Sequence, residues 1–424
     1  MVLPPQLPMK LIFAVTFSLM MSLSASSAAA QEKNDPWLEK LLTTQGSPLL
    51  KSVLSQPETY QYQLIYTRID RDKENRPHFR DFYYNVDRNR YYNPASTVKL
   101  PTALLALEKL HELQAKGVDK YTPMLTDSAY SGQASVLVDT TAENGLPSVA
   151  QYIRKIFLVS DNDAYNRLYE FVGQQPLNER LWEMGYRDVR ITRRFTPMSE
   201  EENRHTNPVR FVQDGQLLYA QPAAESKAKF DFSEKVLIGK AHYNWQDELL
   251  PVPMDFTTHN KLPLQDLQQM LRSVLFPESV PAKKRFRLTP EDYDFLYAHM
   301  AKLPFESDYP RYDTTEFFDS YTKFFLYKAG KSKIPGHVRV FNKTGWSYGF
   351  LTDAAYIADF KNNVEFMLSA VIYVNSNGVL NDNTYEYEEV GYPFFKEVGE
   401  IIYNYELGRE RKYQPNLERF KTSR

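Results

Sequence analysis

Asn93-Pro94-Ala95-Ser96-Thr97-Val98-Lys99-Leu100-Pro101 leads into the apolar run Thr102–Leu110. The spacing predicts a helix, and Ser96 and Lys99, three residues apart, then share one face of its first turn. Pro94 ahead of that turn and Pro101 inside it suit a helix start, where backbone N–H groups lack partners and the helix dipole is positive. An amine thus comes within reach of a hydroxyl where developing negative charge is stabilised. The same spacing recurs at Ser226/Lys229 and Ser320/Lys323. The first lies in a polar run and the second in an aromatic one, and neither opens an amphipathic helix with catalytic partners after it. An isolated pair of this kind is usually a solvated helix start, so the downstream residues must decide.

Working outward, Asp35–Leu54 reads as helix. Tyr60–Asp70 and His78–Val86 read as strands of a hairpin joined through the turn-prone Arg71–Pro77. Downstream, Pro147–Val159 has helical spacing and halts at Ser160-Asp161-Asn162, and a second helix runs from Asp163 to Val172. Ser160 or Asp161 could serve simply as its N-cap. Pro176–Met184 predicts another helix, followed by a loop through Phe195. Asn203–Asn260 reads as an insertion of short strands and loops. Leu262–Phe276 and Thr289–Lys302 read as helices, and Phe305–Lys333 is aromatic-rich without a clear period. The strand pattern returns at His337–Lys343, Phe350–Asp359 and Val364–Val374. A closing helix, Pro393–Leu407, precedes a polar, basic tail at Gly408–Arg424 that is expected to be mobile. The pattern predicts an α+β fold in which two N-terminal and three C-terminal strands form one antiparallel sheet flanked by helices. A helical subdomain at about 93–335, containing the insertion at about 203–260, then sits within a catalytic domain spanning 31–407.

Lysine plus arginine number 51 against 53 acidic residues, which leaves no electrostatic footprint for nucleic acid. The N-terminus reads as a cleavable export signal over 1–30: Lys10, an apolar run Leu11–Leu23, then Ala28-Ala29-Ala30. The run is short for a membrane span, which needs roughly 20 apolar residues, although an uncleaved anchor is the alternative. There is no cysteine, which excludes disulfides, thiolate metal sites and lipid attachment at the cleavage point. Together these predict a periplasmic or secreted protein with no stable membrane span after cleavage. The seven histidines show no metal-ligand spacing, so surface or packing roles are expected.

Lys343-Thr344-Gly345-Trp346 closes the set. Ser96-x-x-Lys99 after two strands, Ser160-Asp161-Asn162 between helices, and Lys343-Thr344-Gly345 on a later strand resemble, in order and context, the serine β-lactamase and penicillin-binding-protein superfamily. The finer likeness is to the class A β-lactamases, in Ser160–Leu168 and in Gly345-Trp346-Ser347-Tyr348-Gly349 running into Thr352-Asp353-Ala354-Ala355. The resemblance implies a β-lactamase/transpeptidase-like fold. It also implies a serine hydrolase that opens β-lactam amides through an acyl-enzyme on Ser96, with no metal or organic cofactor. Lys99 would take the Ser96 proton, and Ser160 would pass one to the leaving nitrogen. Asn162 would bind the substrate amide, while Lys343, Thr344 and Gly345 would hold a substrate carboxylate. The backbone N–H groups of Ser96 and Trp346 would form the oxyanion hole. The implied partner is a small β-lactam or a peptidoglycan-like peptide. A D,D-peptidase or esterase on the same scaffold, and an acylated penicillin-binding sensor with poor turnover, are the alternatives. Gly345-x-Ser347-x-Gly349 also fits a nucleophile elbow, but it lies between two strands where that motif needs a strand and a helix.

One departure bears on turnover. Class A enzymes carry a glutamate, in the loop after the second-motif helices, that activates the water which hydrolyses the acyl-enzyme. The aligned position here falls on Phe195 or Thr196, neither of which can act as a base. Glu200, Glu201 and Glu202 are the nearest acids, and a substitute base is expected among them or not at all.

Overall fold

Two β-strands, β1 (Gln63–Arg71) and β2 (Pro77–Tyr84), form the expected hairpin, with Ile65 opposite Tyr83 and Thr67 opposite Asp81. Val338–Ser347, Phe350–Asp359 and Val364–Tyr373 follow much later as β3, β4 and β5. The structure, a computed structural model, describes Met1 and residues 34–421; apart from Met1, the predicted leader lies outside the described residues. The sheet order is β3-β4-β5-β1-β2, and every pairing is antiparallel. The β1–β5 contact joins the two ends of the chain, with Ile65 opposite Ser369. Every residue of β4 and β5 is buried, because both faces of the sheet are covered.

One face packs on α1 (Pro36–Gln45), α2 (Pro48–Leu54) and the C-terminal helix Tyr392–Gly408 through Leu42, Val53, Phe395 and Val398. The other carries the helical subdomain: α3 (Lys99–His111), α4 (Val149–Val159), α5 (Asn162–Val172), α6 (Gln174–Glu183), α7 (Leu264–Leu275) and α8 (Pro290–Ala301). Among the described residues no helix is long and apolar enough to cross a membrane.

Two expectations need correction, and one unassigned stretch gains a structure. The helix predicted over 35–54 is two helices, because Ser47 caps α2 by accepting from Leu50 N and Pro48 opens it. The aromatic stretch after Phe305 forms turns and covers the edge strand β3: Lys323 is buried and donates to Asn342 Oδ1 and Met300 O, both at 2.7 Å. The tail is not free through residue 421. Leu417 and Phe420 are buried, with the Phe420 ring against Phe341 and Tyr356, and Arg409 and Arg411 pair with the buried Glu406. A buried carboxylate needs cations, and the tail supplies them. The insertion at 203–260 is made of short strands as expected, and one of them, Ala241–Tyr243, pairs with Val379–Leu380.

Candidate active site

Ser96 lies in a tight helical turn, Ala95–Val98, that runs straight into α3. Ala95 just before it has a φ of +42°, a left-handed conformation that costs a non-glycine residue roughly 1–2 kcal/mol. The turn is wedged against β3. A Cβ on Gly345 would meet Pro94 O at 2.6 Å and Ser96 N at 2.8 Å, so only glycine permits the strand to approach this closely. Gly345 therefore sets the distance between Ser96 and Trp346, whose N–H groups the resemblance pairs as oxyanion donors.

Lys99 is fully buried one turn on. Its Nζ donates to Ser160 O at 2.5 Å and to Asn162 Oδ1 at 2.7 Å, and Ser160 Oγ lies 3.4 Å away. Burial holds its pKa well below the usual lysine value, the Lys343 charge adds to that, and Asp161 opposes it. A neutral amine has two N–H bonds, which the two short contacts use, leaving a lone pair for a hydroxyl proton.

Ser160 ends α4 with a φ of +62°, while Asp161 caps α5 by accepting from Ala164 N at 2.8 Å. Asp161 takes the structural duty and Ser160 is left for Lys343, whose Nζ donates to its Oγ at 2.8 Å. Burial pulls Lys343 down to about 7, with Asp353 opposing and Lys323 adding to the shift. Thr344 is also fully buried, and its hydroxyl has no hydrogen-bond partner. The structure thus links Lys99, Ser160, Asn162 and Lys343 in one hydrogen-bonded array, and of the predicted site residues Ser96, Asn162 and Trp346 line the open cleft whereas Lys99, Ser160, Lys343, Thr344 and Gly345 do not.

One face of α5 clamps the loop after α6. Tyr165 and Tyr169 donate to Arg193 O and Thr192 O, and Asn166 Oδ1 accepts from Phe195 N at 2.8 Å. Glu170, itself fully buried, accepts from the buried Arg194 Nε at 2.8 Å. Burial pushes the Glu170 carboxyl up to about 7, while Arg167 and Arg194 hold it back. Phe195, one of the two aligned positions, has its ring centre 5.0 Å from Lys99 Nζ. None of the three candidate substitute acids reaches this point. Glu202 closes a capping box with Ser199, Glu201 pairs with His205, and Glu200 borders a different pocket. Among the described residues no carboxylate lines the cleft of about 420 Å³ in front of Ser96.

The clamp residues Glu170 and Arg194 were missed in the sequence, although Tyr165/Asn166 and Tyr169/Glu170 repeat at helical spacing on one face of α5. Arg193, Trp245 and His259 were missed as cleft residues because the insertion supplies two of them. Burial and the Arg193 charge lower the His259 pKa to about 3, so its ring is neutral, and it meets Arg193 Nη1 at 2.5 Å. Glu201, His205 and Glu225 gather their ligand atoms within 4.8 Å on the surface; strand pairing brings Glu225 to His205, and Glu201 stands four residues before it. Ser347 stays in the hairpin between β3 and β4, not at a helix start.

Residues 50–237 match the family model described as "Beta-lactamase enzyme family". That match spans less than half of the chain, and the five-stranded sheet and its helical subdomain agree with it. Over those residues the chain is similar to the β-lactamase enzyme family. The architecture is β-lactamase/transpeptidase-like, and the likeness is to the β-lactamase and penicillin-binding-protein superfamily. Solved structures similar to this β-lactamase-like chain include β-lactamases from Sphaerobacter thermophilus DSM 20745 and Xanthomonas campestris pv. campestris str. ATCC 33913. The first has 13% identity, a TM-score of 0.45 and coverage of 85% of this chain and 96% of that one; the second has 15%, 0.47, 84% and 96%. A mutant of PBP-A in acyl-enzyme complex with penicillin G shares 14% identity at a TM-score of 0.46, covering 89% of this chain and 98% of its own. No curated protein matches the sequence.

Proposed function

We propose that the chain is an exported, class A-type serine hydrolase acylated at Ser96 by a β-lactam or a peptidoglycan-like peptide amide, and that it releases the acyl group slowly. The observation that carries this reading is the buried array of Lys99, Ser160 and Lys343 beside a half-buried Ser96. Ser96 Oγ attacks the carbonyl carbon as its proton passes to the neutral Lys99 amine. The C–N bond then breaks and Ser160, whose hydroxyl is bonded to Lys343, delivers a proton to the leaving nitrogen. Each backbone donor in the oxyanion hole is typically worth about 2.7–4 kcal/mol. The Lys343 ammonium, held against the Ser160 hydroxyl, supplies the charge for a substrate carboxylate.

Slow release follows from the phenyl ring of Phe195 over Lys99, where a water-activating base would have to stand. A persistent acyl-enzyme favours penicillin binding over rapid β-lactam turnover. Labelling of the mature protein with a fluorescent penicillin, compared with Ser96→Ala, tests the first half of the proposal. Labelling that survives in Ser96→Ala would overturn it.

A further inference from the structure

Arg193 is the cleft's uncommitted cation. Its backbone is fixed, N–H to Asn260 Oδ1 at 3.2 Å and carbonyl to the Tyr165 hydroxyl at 2.9 Å, so the guanidinium is presented from a pinned position. Its one side-chain hydrogen bond goes from Nη1 to the neutral His259 ring, and among the described residues no acidic side chain lies within ion-pair distance of it. Its neighbours in the loop are differently placed: Arg194 is consumed by Glu170, and Arg190 by the carbonyls of Asp231, Thr257 and His259. Asp255, whose charge acts on His259, accepts from Thr257 N at 2.7 Å. A guanidinium has five donors, and four here remain for a ligand.

The surroundings of Arg193 are aromatic. Phe195 lies two residues on, and its ring borders the same array as Asn162. Trp245, 74% exposed, stands on the turn between Ala241–Tyr243 and Leu249–Leu250, which is tied to Val379–Leu380 and lines the same cleft. An exposed tryptophan on a braced turn facing a cleft is suited to a flat apolar group.

We infer that Arg193, walled by Phe195 and Trp245, forms a second anion subsite that takes a carboxylate on an aromatic side chain of the substrate's acyl part. This rests on the proposed acyl-enzyme reading, in which Asn162 holds the amide and Lys343 the carboxylate beyond the scissile bond. The acyl side chain then leaves Asn162 toward Phe195 and Arg193. The preferred substrate carries two anions separated by the reacting amide, one for Lys343 and one for Arg193.

Benzylpenicillin and carbenicillin differ by one carboxylate on the aromatic acyl side chain, so the ratio of their second-order acylation rates reads the subsite. The wild type is expected to react about tenfold faster with carbenicillin, the scale of one charge-assisted hydrogen bond. Arg193→Gln brings the ratio close to one, and Arg193→Lys keeps part of it. A ratio unchanged by Arg193→Gln would overturn the subsite while leaving acylation at Ser96 intact. Tryptophan fluorescence titration of Ser96→Ala with phenylmalonate and phenylacetate reads the same contact without any acyl transfer. Tighter binding of phenylmalonate that is lost on adding Arg193→Gln supports the subsite even if neither penicillin acylates Ser96, an outcome that would remove the acyl-enzyme reading alone. Equal binding of the two acids would overturn the subsite.

Discussion

Gly345 shows how much of the site is set by single atoms. The groups its missing Cβ would strike are backbone atoms of the Ser96 turn, which cannot rotate aside. Gly345→Ala should therefore move the turn by a fraction of an ångström and slow acylation by on the order of 100-fold, with the fold retained by circular dichroism. The two lysines predict the pH profile. Lys99 must be neutral to accept the Ser96 proton, so acylation rises with pH through its lowered pKa, well under the ordinary lysine value of 10.5. Lys343 must be charged to hold a carboxylate, so the rate falls again as pH passes about 7. A bound substrate anion favours the charged form, and the falling limb should sit higher in kcat than in kcat/KM. Lys343→Met removes a positive neighbour of Lys99; the rising limb should shift to higher pH and the falling limb disappear. Of these residues, Ser96, Lys99, Ser160, Asn162 and Lys343 were legible from three short motifs in order, since each motif fixes its own local geometry. The role of Gly345 as a spacer was not, because the contact is between segments far apart in sequence.

The elements divide by how local their causes are. Strands β4 and β5 and the helices α4 and α5 were readable because apolar period and capping residues act within one turn or pleat. The loop at 190–197 was not, because its conformation is dictated by α5 from a distance. Glu170 and Arg194 are almost wholly buried, so removing one charge strands the other. Glu170→Gln should cost about 3–5 kcal/mol, read from the urea midpoint, and should loosen Phe195 and lower the acylation rate as well. Asp161→Ala removes the α5 cap and should cost about 1 kcal/mol. The N-cap alternative in Ser160-Asp161-Asn162 is thus satisfied by Asp161 at the same time as Ser160 meets the lysines. One tripeptide serves both ends of the argument.

At the scale of the whole chain, both ends of the described residues serve the sheet, and the helical subdomain lies between β2 and β3 in the chain. The tail behaves as part of that body through Phe420, so Phe420→Ala should cost about 3–5 kcal/mol, visible as a lower thermal midpoint. The sequence misled here because two apolar residues in a polar stretch carry no period, and the cavity they fill is built by distant strands. The insertion at 203–260 was legible as an insertion but not as a cleft wall, for the same reason. Among the described residues no carboxylate lines the cleft, and the phenyl ring of Phe195 lies beside Lys99. The most direct test is intact-protein mass spectrometry of the mature chain mixed with benzylpenicillin and followed over time, beside Ser96→Ala and Phe195→Glu. The account predicts a wild-type adduct that persists, no adduct on Ser96→Ala, and on Phe195→Glu an adduct that decays as hydrolysed penicillin accumulates. A wild-type adduct that vanishes as fast as free product appears would contradict it.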